Sequence, residues 1–238
     1  MIILRQSKKQ FDGINASPFC AKLELFLSYY KIPYTVKFAL PNQGPYKKIP
    51  YIEQDGEVLG DSELIIEQLL KQHNIQQGLT EQQHAQGRAW QMMLEQHLNW
   101  ILVYCRWIPE AEWQRLEPAF FKGYKWPLRA LIGRYARNLV RKNLYTQGLG
   151  RFTTQQILLE GDKDLQALSD HLSANRFICG EQFSRYDFFA YVMIICINSK
   201  DMPTRLTEYI QKYPVLLEYQ QRVEAELAIG YHNESIAC

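Results

Sequence analysis

Ser17-Pro18-Phe19-Cys20 stands between a short apolar run, Met1-Ile2-Ile3-Leu4, and apolar residues recurring at helical spacing, Ala21, Leu23, Leu25, Phe26 and Leu27. A serine in that place, with proline at the first helical position, marks a strand-loop handing over to a helix. The Ser17 hydroxyl can cap the helix backbone, or it can point at something bound at the positive end of the helix. Two later pairs, Ile49-Pro50 and Asp61-Ser62, decide how it is read.

Working outward, Ile2 to Leu4 predicts a buried strand, followed by a loop containing Asp12-Gly13. A helix is expected from Ser17 to about Tyr30, ended by Ile32-Pro33, because proline disfavours helix at the residue before it. Tyr34 to Phe38 is β-branched and aromatic and predicts a strand. After the breaker-rich Pro41 to Pro45, Ile49 to Glu53 and Glu57 to Leu59 flank Asp55-Gly56, a hairpin signal. Asp61-Ser62 opens a helix with an apolar face of Leu64, Ile65, Ile66, Leu69 and Leu70. The order is β-α-β-β-β-α, a parallel βαβ unit followed by a hairpin and a closing helix.

Beyond the polar linker 74–79, strand signals fade. Thr80 and Gln83 form a capping box for a long helix reaching about Trp107. Further helical stretches are expected from about Leu116 to Tyr145 and from Thr153 through His171, with Gly161 a candidate break. Ser184 and Asp187 cap the very apolar run Phe188 to Ile197, and Pro203 and Pro214 sit near the starts of the last helices. The expected fold class is α+β: a thioredoxin-like domain over 1–75 and an all-helical domain over 76–238.

The chain has 238 residues and a formal charge of +2, so no strong field points to nucleic acid. Its five cysteines (Cys20, Cys105, Cys179, Cys196 and Cys238) form no close pair and no metal-ligand spacing. They predict free thiols, a reducing cytoplasmic setting and no metal. The apolar run Phe188 to Ile197 is too short to span a bilayer.

A thioredoxin-like domain joined to a helical one, with Ser17-Pro18-Phe19, Lys48-Ile49-Pro50 and Asp61-Ser62 in that order, resembles the glutathione S-transferase superfamily. The segments 94–100, 104–107 and 147–151 resemble its failed-axon-connections and metaxin-like branch in particular. The resemblance implies a glutathione site. Ser17 would donate to the glutathione sulfur, and a helix N-terminus plus a donor favours the thiolate. Pro50 would be cis, leaving the Ile49 backbone free to pair with the cysteinyl backbone. Ser62 would meet the γ-glutamyl carboxylate with free helix N–H groups, and Asp61 replaces the more usual glutamate before it. Lys48 would offer charge to the glycyl carboxylate.

Each residue also has a purely structural reading: Pro50 as a turn, Asp61-Ser62 as a helix cap, Lys47 and Lys48 as solvated charges. Cys20 completes a Cys-x-x-Cys-like tetrapeptide whose first cysteine is replaced by Ser17, so it reads as a redox thiol or as a buried structural one. His97, Trp100, Tyr104 and Trp107 are spaced 3, 4 and 3 apart. They share a helix face that reads either as a co-substrate wall or as helix packing or a dimer face. The resemblance implies a detoxifying transferase that uses glutathione as co-substrate against a small electrophile, with a homodimer among the assemblies it allows. The alternative is a metaxin-like scaffold without turnover.

Overall fold

The computed structural model describes residues 1–8 and 10–232; Cys238 lies outside the described residues. Strand β1 (Ile2–Gln6) is followed by a small hairpin, β2 (Gln10–Phe11) and β3 (Ile14–Asn15). Then come α1 (Pro18–Tyr29), β4 (Tyr34–Phe38), 3₁₀ turns at Pro41–Gln43 and Pro45–Lys47, β5 (Tyr51–Gln54), β6 (Glu57–Gly60) and α2 (Ser62–Gln72). The main sheet runs in the order β4-β1-β5-β6. Parallel pairing sets Ile2 opposite Tyr34, and antiparallel pairing sets Leu4 opposite Ile52 and Ile52 opposite Leu59. Ile2 and Leu4 are buried in the central strand, whereas Val36 and Phe38 are exposed on edge strand β4.

The stretch read as a loop around Asp12-Gly13 is the β2–β3 hairpin. Both turn residues have positive φ, 48° at Asp12 and 80° at Gly13, the geometry that asparagine, aspartate and glycine supply most cheaply. Asp55-Gly56 turns the β5–β6 hairpin in the same way.

The helical remainder comprises α3 (Glu81–Met93), a π-helical turn at Leu94–Leu98, α4 (Asn99–Trp107), α5 (Glu110–Phe120) and α6 (Leu128–Gln147). After a 3₁₀ turn at Leu149–Arg151 follow α7 (Thr154–Ala174), α8 (Arg185–Ile197), α9 (Arg205–Ile210) and α10 (Pro214–His232). The helix expected to reach about Trp107 does so, with the π turn inside it carrying Glu95 into a buried polar cluster. One sequence expectation needs correction. The stretch 116–145 is two helices, separated by residues 121–127 with a cis Trp126-Pro127 bond.

Gly161, the candidate break, lies inside continuous α7. A Cβ there would meet Leu206 Cδ2 at 2.8 Å and Ile101 Cγ2 at 3.2 Å, so the glycine serves close helix packing.

Helix α8 is buried from Tyr186 to Ile197, which an apolar helix needs on every face. It packs on α1 through Phe19–Phe189 and Phe26–Phe188 ring contacts, at 5.1 and 5.8 Å between centroids. Its start is fixed by Asp187, which accepts from Ser184 N and Oγ at 2.9 Å, Ile178 N at 2.8 Å and Tyr219 Oη at 2.8 Å. Burial pushes the Asp187 carboxyl up to about 6 despite those four donors.

Candidate functional site

Ser17 occupies the N-cap position of α1, but its side chain makes no capping bond. Its own N–H donates to Asn15 Oδ1 at 3.1 Å, and buried Asn15 is held by its Nδ2 donating to Ser7 O at 2.9 Å. The first turn of α1 is thus left without a side-chain cap. A half-buried hydroxyl thus stands beside the positive end of the helix.

One turn on, Cys20 is fully buried and its thiol is pushed up to about 11 by burial, against a smaller lowering by its hydrogen bond with Ser17. Such a thiol is almost wholly protonated near neutral pH and is a poor nucleophile. Of the two readings of Cys20, this geometry favours the structural thiol. Cys105, Cys179 and Cys196 are likewise free and buried.

The Ile49-Pro50 bond is cis. Pro50 is buried and Ile49 half-buried at the entry to β5, and neither backbone group of Ile49 is hydrogen-bonded among the described residues. Lys48 is exposed beside it, as is Lys47.

Asp61 sits at φ 72° and ψ 119°, an unfavourable region for a residue with a Cβ. Its Oδ1 holds it there by accepting from Glu63 N at 3.0 Å and Leu64 N at 3.3 Å. The expectation of several free N–H groups at this terminus is therefore corrected. Two are taken by Asp61, and what remains is Ser62, whose hydroxyl has no partner among the described residues.

Behind these two helix starts lies a buried ionic cluster. Lys22 Nζ, on α1, donates to Glu63 Oε2 on α2 at 2.5 Å and to Glu95 Oε1 in the π turn at 2.8 Å. Gln91 Nε2 donates to the same two carboxylates at 2.6 and 2.9 Å, and Arg185 of α8 pairs with Glu63. Burial lowers the Lys22 pKa and the Glu95 carboxylate opposes that lowering. Two cations, Lys22 and Arg185, face the buried carboxylates of Glu63 and Glu95, and the more exposed Glu67 lies 3.6 Å from Arg185.

The four residues expected on one face of the long helix, His97 in the π turn and the other three on α4, meet different neighbours. His97 Nδ1 lies 2.6 Å from Asp164 and Tyr104 Oη 2.8 Å from Thr154 Oγ1, both on α7. Trp100 is half-buried against the core. Trp107 meets different neighbours, 5.7 Å from Trp113 and 5.5 Å from Phe120, and Phe120 lies 5.7 Å from Phe11 of the β2–β3 hairpin. Arg106 fixes this end of α4 to the site. It donates to Ala16 O, just before Ser17, at 3.3 Å and to Cys196 O on α8 at 2.9 Å. The half-buried aromatic group at this end of α4, which Arg106 ties to Ala16 O, is Phe11, Trp107, Trp113 and Phe120. Of these only Trp107 stood out in sequence; the Asp-Gly turn was the available signal for Phe11.

Family models match this chain in two places: the glutathione S-transferase N-terminal domain over residues 18–112 and the C-terminal domain over residues 161–223. The chain belongs to the glutathione S-transferase superfamily. An isoprene-epoxide glutathione S-transferase of Rhodococcus sp. (strain AD45) is 29% identical over 90% of this chain and 93% of its own length. Failed axon connections of Drosophila melanogaster is 28% identical over 87% of this chain and 53% of its own length. Human Metaxin-2 is 25% identical over 76% of this chain and 70% of its own. Among solved structures, the β-etherase LigF from Sphingobium sp. strain SYK-6 superposes with a TM-score of 0.66 at 15% identity, covering 98% of this chain and 99% of that one. At that identity the likeness concerns the fold, which is the superfamily's. The family models leave residues 113–160, with most of α5 and all of α6, unmatched.

Proposed function

We propose that this transferase-family protein binds glutathione in a sheet-bearing domain (1–75) and adds its sulfur to a small electrophile facing the helical domain (76–238). The observation that carries the reading is the uncapped start of α1 with the Ser17 hydroxyl beside it. A free cysteinyl thiol has a pKa of about 8.5, and a neutral hydroxyl donor at a helix N-terminus stabilises its thiolate. The thiol proton leaves to solvent, and Ser17 Oγ–H donates to the sulfur without ionising. The open backbone of Ile49 pairs with the cysteinyl residue, Ser62 receives the γ-glutamyl carboxylate, and Lys48 lies toward the glycyl end.

The isoprene-epoxide relative supports a strained epoxide as the electrophile class. There the C–S bond forms as the epoxide C–O bond breaks, and the alkoxide takes its proton from water. Phe11, Trp107 and Phe120 would shelter the apolar part of such a molecule. The reducing cytoplasm, where glutathione is held as thiol, suits this activity. The second reading, a scaffold without turnover, draws on the Failed axon connections and Metaxin-2 relatives. It also draws on the engagement of His97 and Tyr104 with α7.

Calorimetric titration with reduced glutathione and with S-methylglutathione, beside turnover of a small aliphatic epoxide, tests the reading. Binding of both, with conjugation from the thiol alone, is expected. A folded protein that binds neither overturns the glutathione site, and binding without turnover of any epoxide favours the scaffold.

A further inference from the structure

Helix α6 carries two apolar faces where a surface helix needs one. Its inner face is buried through Gly133 and Leu144, with the Gly133 Cβ position 3.4 Å from Trp113. On the opposite face Leu128, Leu131, Tyr135 and Leu139, spaced 3, 4 and 4 residues apart, are all exposed, and Trp126 precedes them at 78% exposure. The stripe runs along a helix about 30 Å long, at roughly 1.5 Å per residue.

The charge around it is one-sided. Residues 118–151 hold eight lysines and arginines and no aspartate or glutamate, although the whole chain holds 27 basic and 25 acidic residues. Lys122, Lys125, Arg134, Arg141 and Lys142 are exposed, and none is ion-paired among the described residues. The stripe falls within the segment that neither family model matches.

We propose that this face of α6 docks onto an anionic phospholipid surface, lying in the interface with its apolar stripe among the headgroups. An apolar ridge that includes Tyr135, flanked by unpaired cations and preceded by Trp126, has the composition of an interfacial helix. A second copy of the chain fits poorly. A twofold contact would set the basic residues Arg134, Arg141 and Lys142 against the same basic face of the partner helix, with no carboxylate on α6 to separate them. No described helix is long and apolar enough to cross a membrane, so the contact is peripheral. This inference is independent of the glutathione site.

Co-flotation of the full chain is measured with vesicles of phosphatidylcholine alone and of phosphatidylcholine mixed equally with phosphatidylserine. Binding to the mixed vesicles only, weakening steeply with salt, is expected. Leu131→Glu with Tyr135→Glu, and separately Arg134→Glu with Arg141→Glu, should each lower partitioning roughly tenfold or more. Lys31→Glu with Lys71→Glu changes the charge equally, away from α6, and should leave partitioning within about twofold. Brominated lipid should quench fluorescence in the wild type and not in Trp126→Phe, a readout that also serves if a double variant folds badly. Absence of binding to mixed vesicles, or an equal loss in the control pair, overturns the proposal. Capture by polyglutamate without vesicle binding overturns it too, in favour of an acidic polypeptide.

Discussion

Lys22 Nζ and Glu63 Oε2 meet at 2.5 Å, joining the helix that begins after Ser17 to the helix that begins at Ser62. The contact is buried, with the Lys22 side chain 2% exposed, and it is shared with Glu95 from the helical part. Removing the ammonium leaves Glu95 without a cation and Glu63 with Arg185 alone, in a low-dielectric setting. Lys22→Met should therefore destabilise the fold by about 3–5 kcal/mol, the usual cost of stranding a buried partner. The double variant Lys22→Met with Glu95→Gln should recover part of that loss, since one stranded charge goes. Urea denaturation of the three proteins measures it, and additive losses would show that the groups do not act as a unit.

Ser17 and Cys20 are separated by chemistry that one pair of variants can resolve. Ser17→Ala should cut conjugation while leaving glutathione affinity nearly intact, because the contacts proposed at Ile49 and Ser62 would remain. The pKa of bound glutathione should rise, each unit standing for about 1.4 kcal/mol of lost thiolate stabilisation. Cys20→Ser should leave conjugation largely unchanged, consistent with a thiol pushed up to about 11. Stopped-flow absorbance of the bound thiolate and epoxide turnover measure both. An inactive Cys20→Ser enzyme beside a fully active Ser17→Ala enzyme would reverse the roles. A mixed disulfide on Cys20 after exposure to oxidised glutathione would do so as well.

The aromatic residues around α4 should divide in the same assays. Phe11→Ala or Trp107→Ala should raise KM for an apolar electrophile, with glutathione affinity changed less. Full burial of such a side chain is worth roughly 1.5–3 kcal/mol, the upper limit for a half-buried ring that covers the electrophile. His97→Gln and Tyr104→Phe should leave that KM alone and act on the α4–α7 contact, read as a lowered melting temperature. A KM effect at His97 equal to that at Trp107 would restore the single-face reading.

The order of strands and helices was legible because its signals are local: β-branched runs, Asp-Gly turns, proline stops and capping boxes each act over a few residues. Ser184 with Asp187 predicted the start of α8, and the structure places a capping box there. The site was legible as three helix-start and turn motifs, although not as a set of free groups. That Asp61 uses its carboxylate on Glu63 N and Leu64 N depends on a positive φ that composition does not reveal. The split of the α4 face was hidden for a different reason. Spacing says which side chains share a face but not which neighbouring helix that face meets, and α5 and α7 compete for it. The Lys22 cluster was invisible because its members come from four helices, and each alone reads as a solvated charge.

Asp187 gives the fold a pH signature of definite sign. Its carboxyl is raised by burial to about 6 in the folded chain, against about 3.9 for an unperturbed aspartate in the unfolded one. The folded state therefore binds the proton more tightly. The associated stability is fully present below the unfolded value and is lost as pH rises through about 6. The gap between the two values corresponds to roughly 3 kcal/mol. Asp187→Asn cannot titrate, and it removes an acceptor from the Ser184 and Ile178 donors, so it should be less stable than wild type at acid pH. That deficit should shrink by up to about 3 kcal/mol between pH of about 4 and about 7, because only the wild type loses the protonation contribution. Tyr219→Phe provides the second arm. The Tyr219 hydroxyl donates to Asp187 Oδ1 at 2.8 Å and favours the carboxylate, so its loss should move the window to higher pH. Urea denaturation of wild type, Asp187→Asn and Tyr219→Phe across that range measures the effect. A deficit for Asp187→Asn that grows as pH rises would mean that the four donors outweigh burial and hold the carboxyl below its ordinary value.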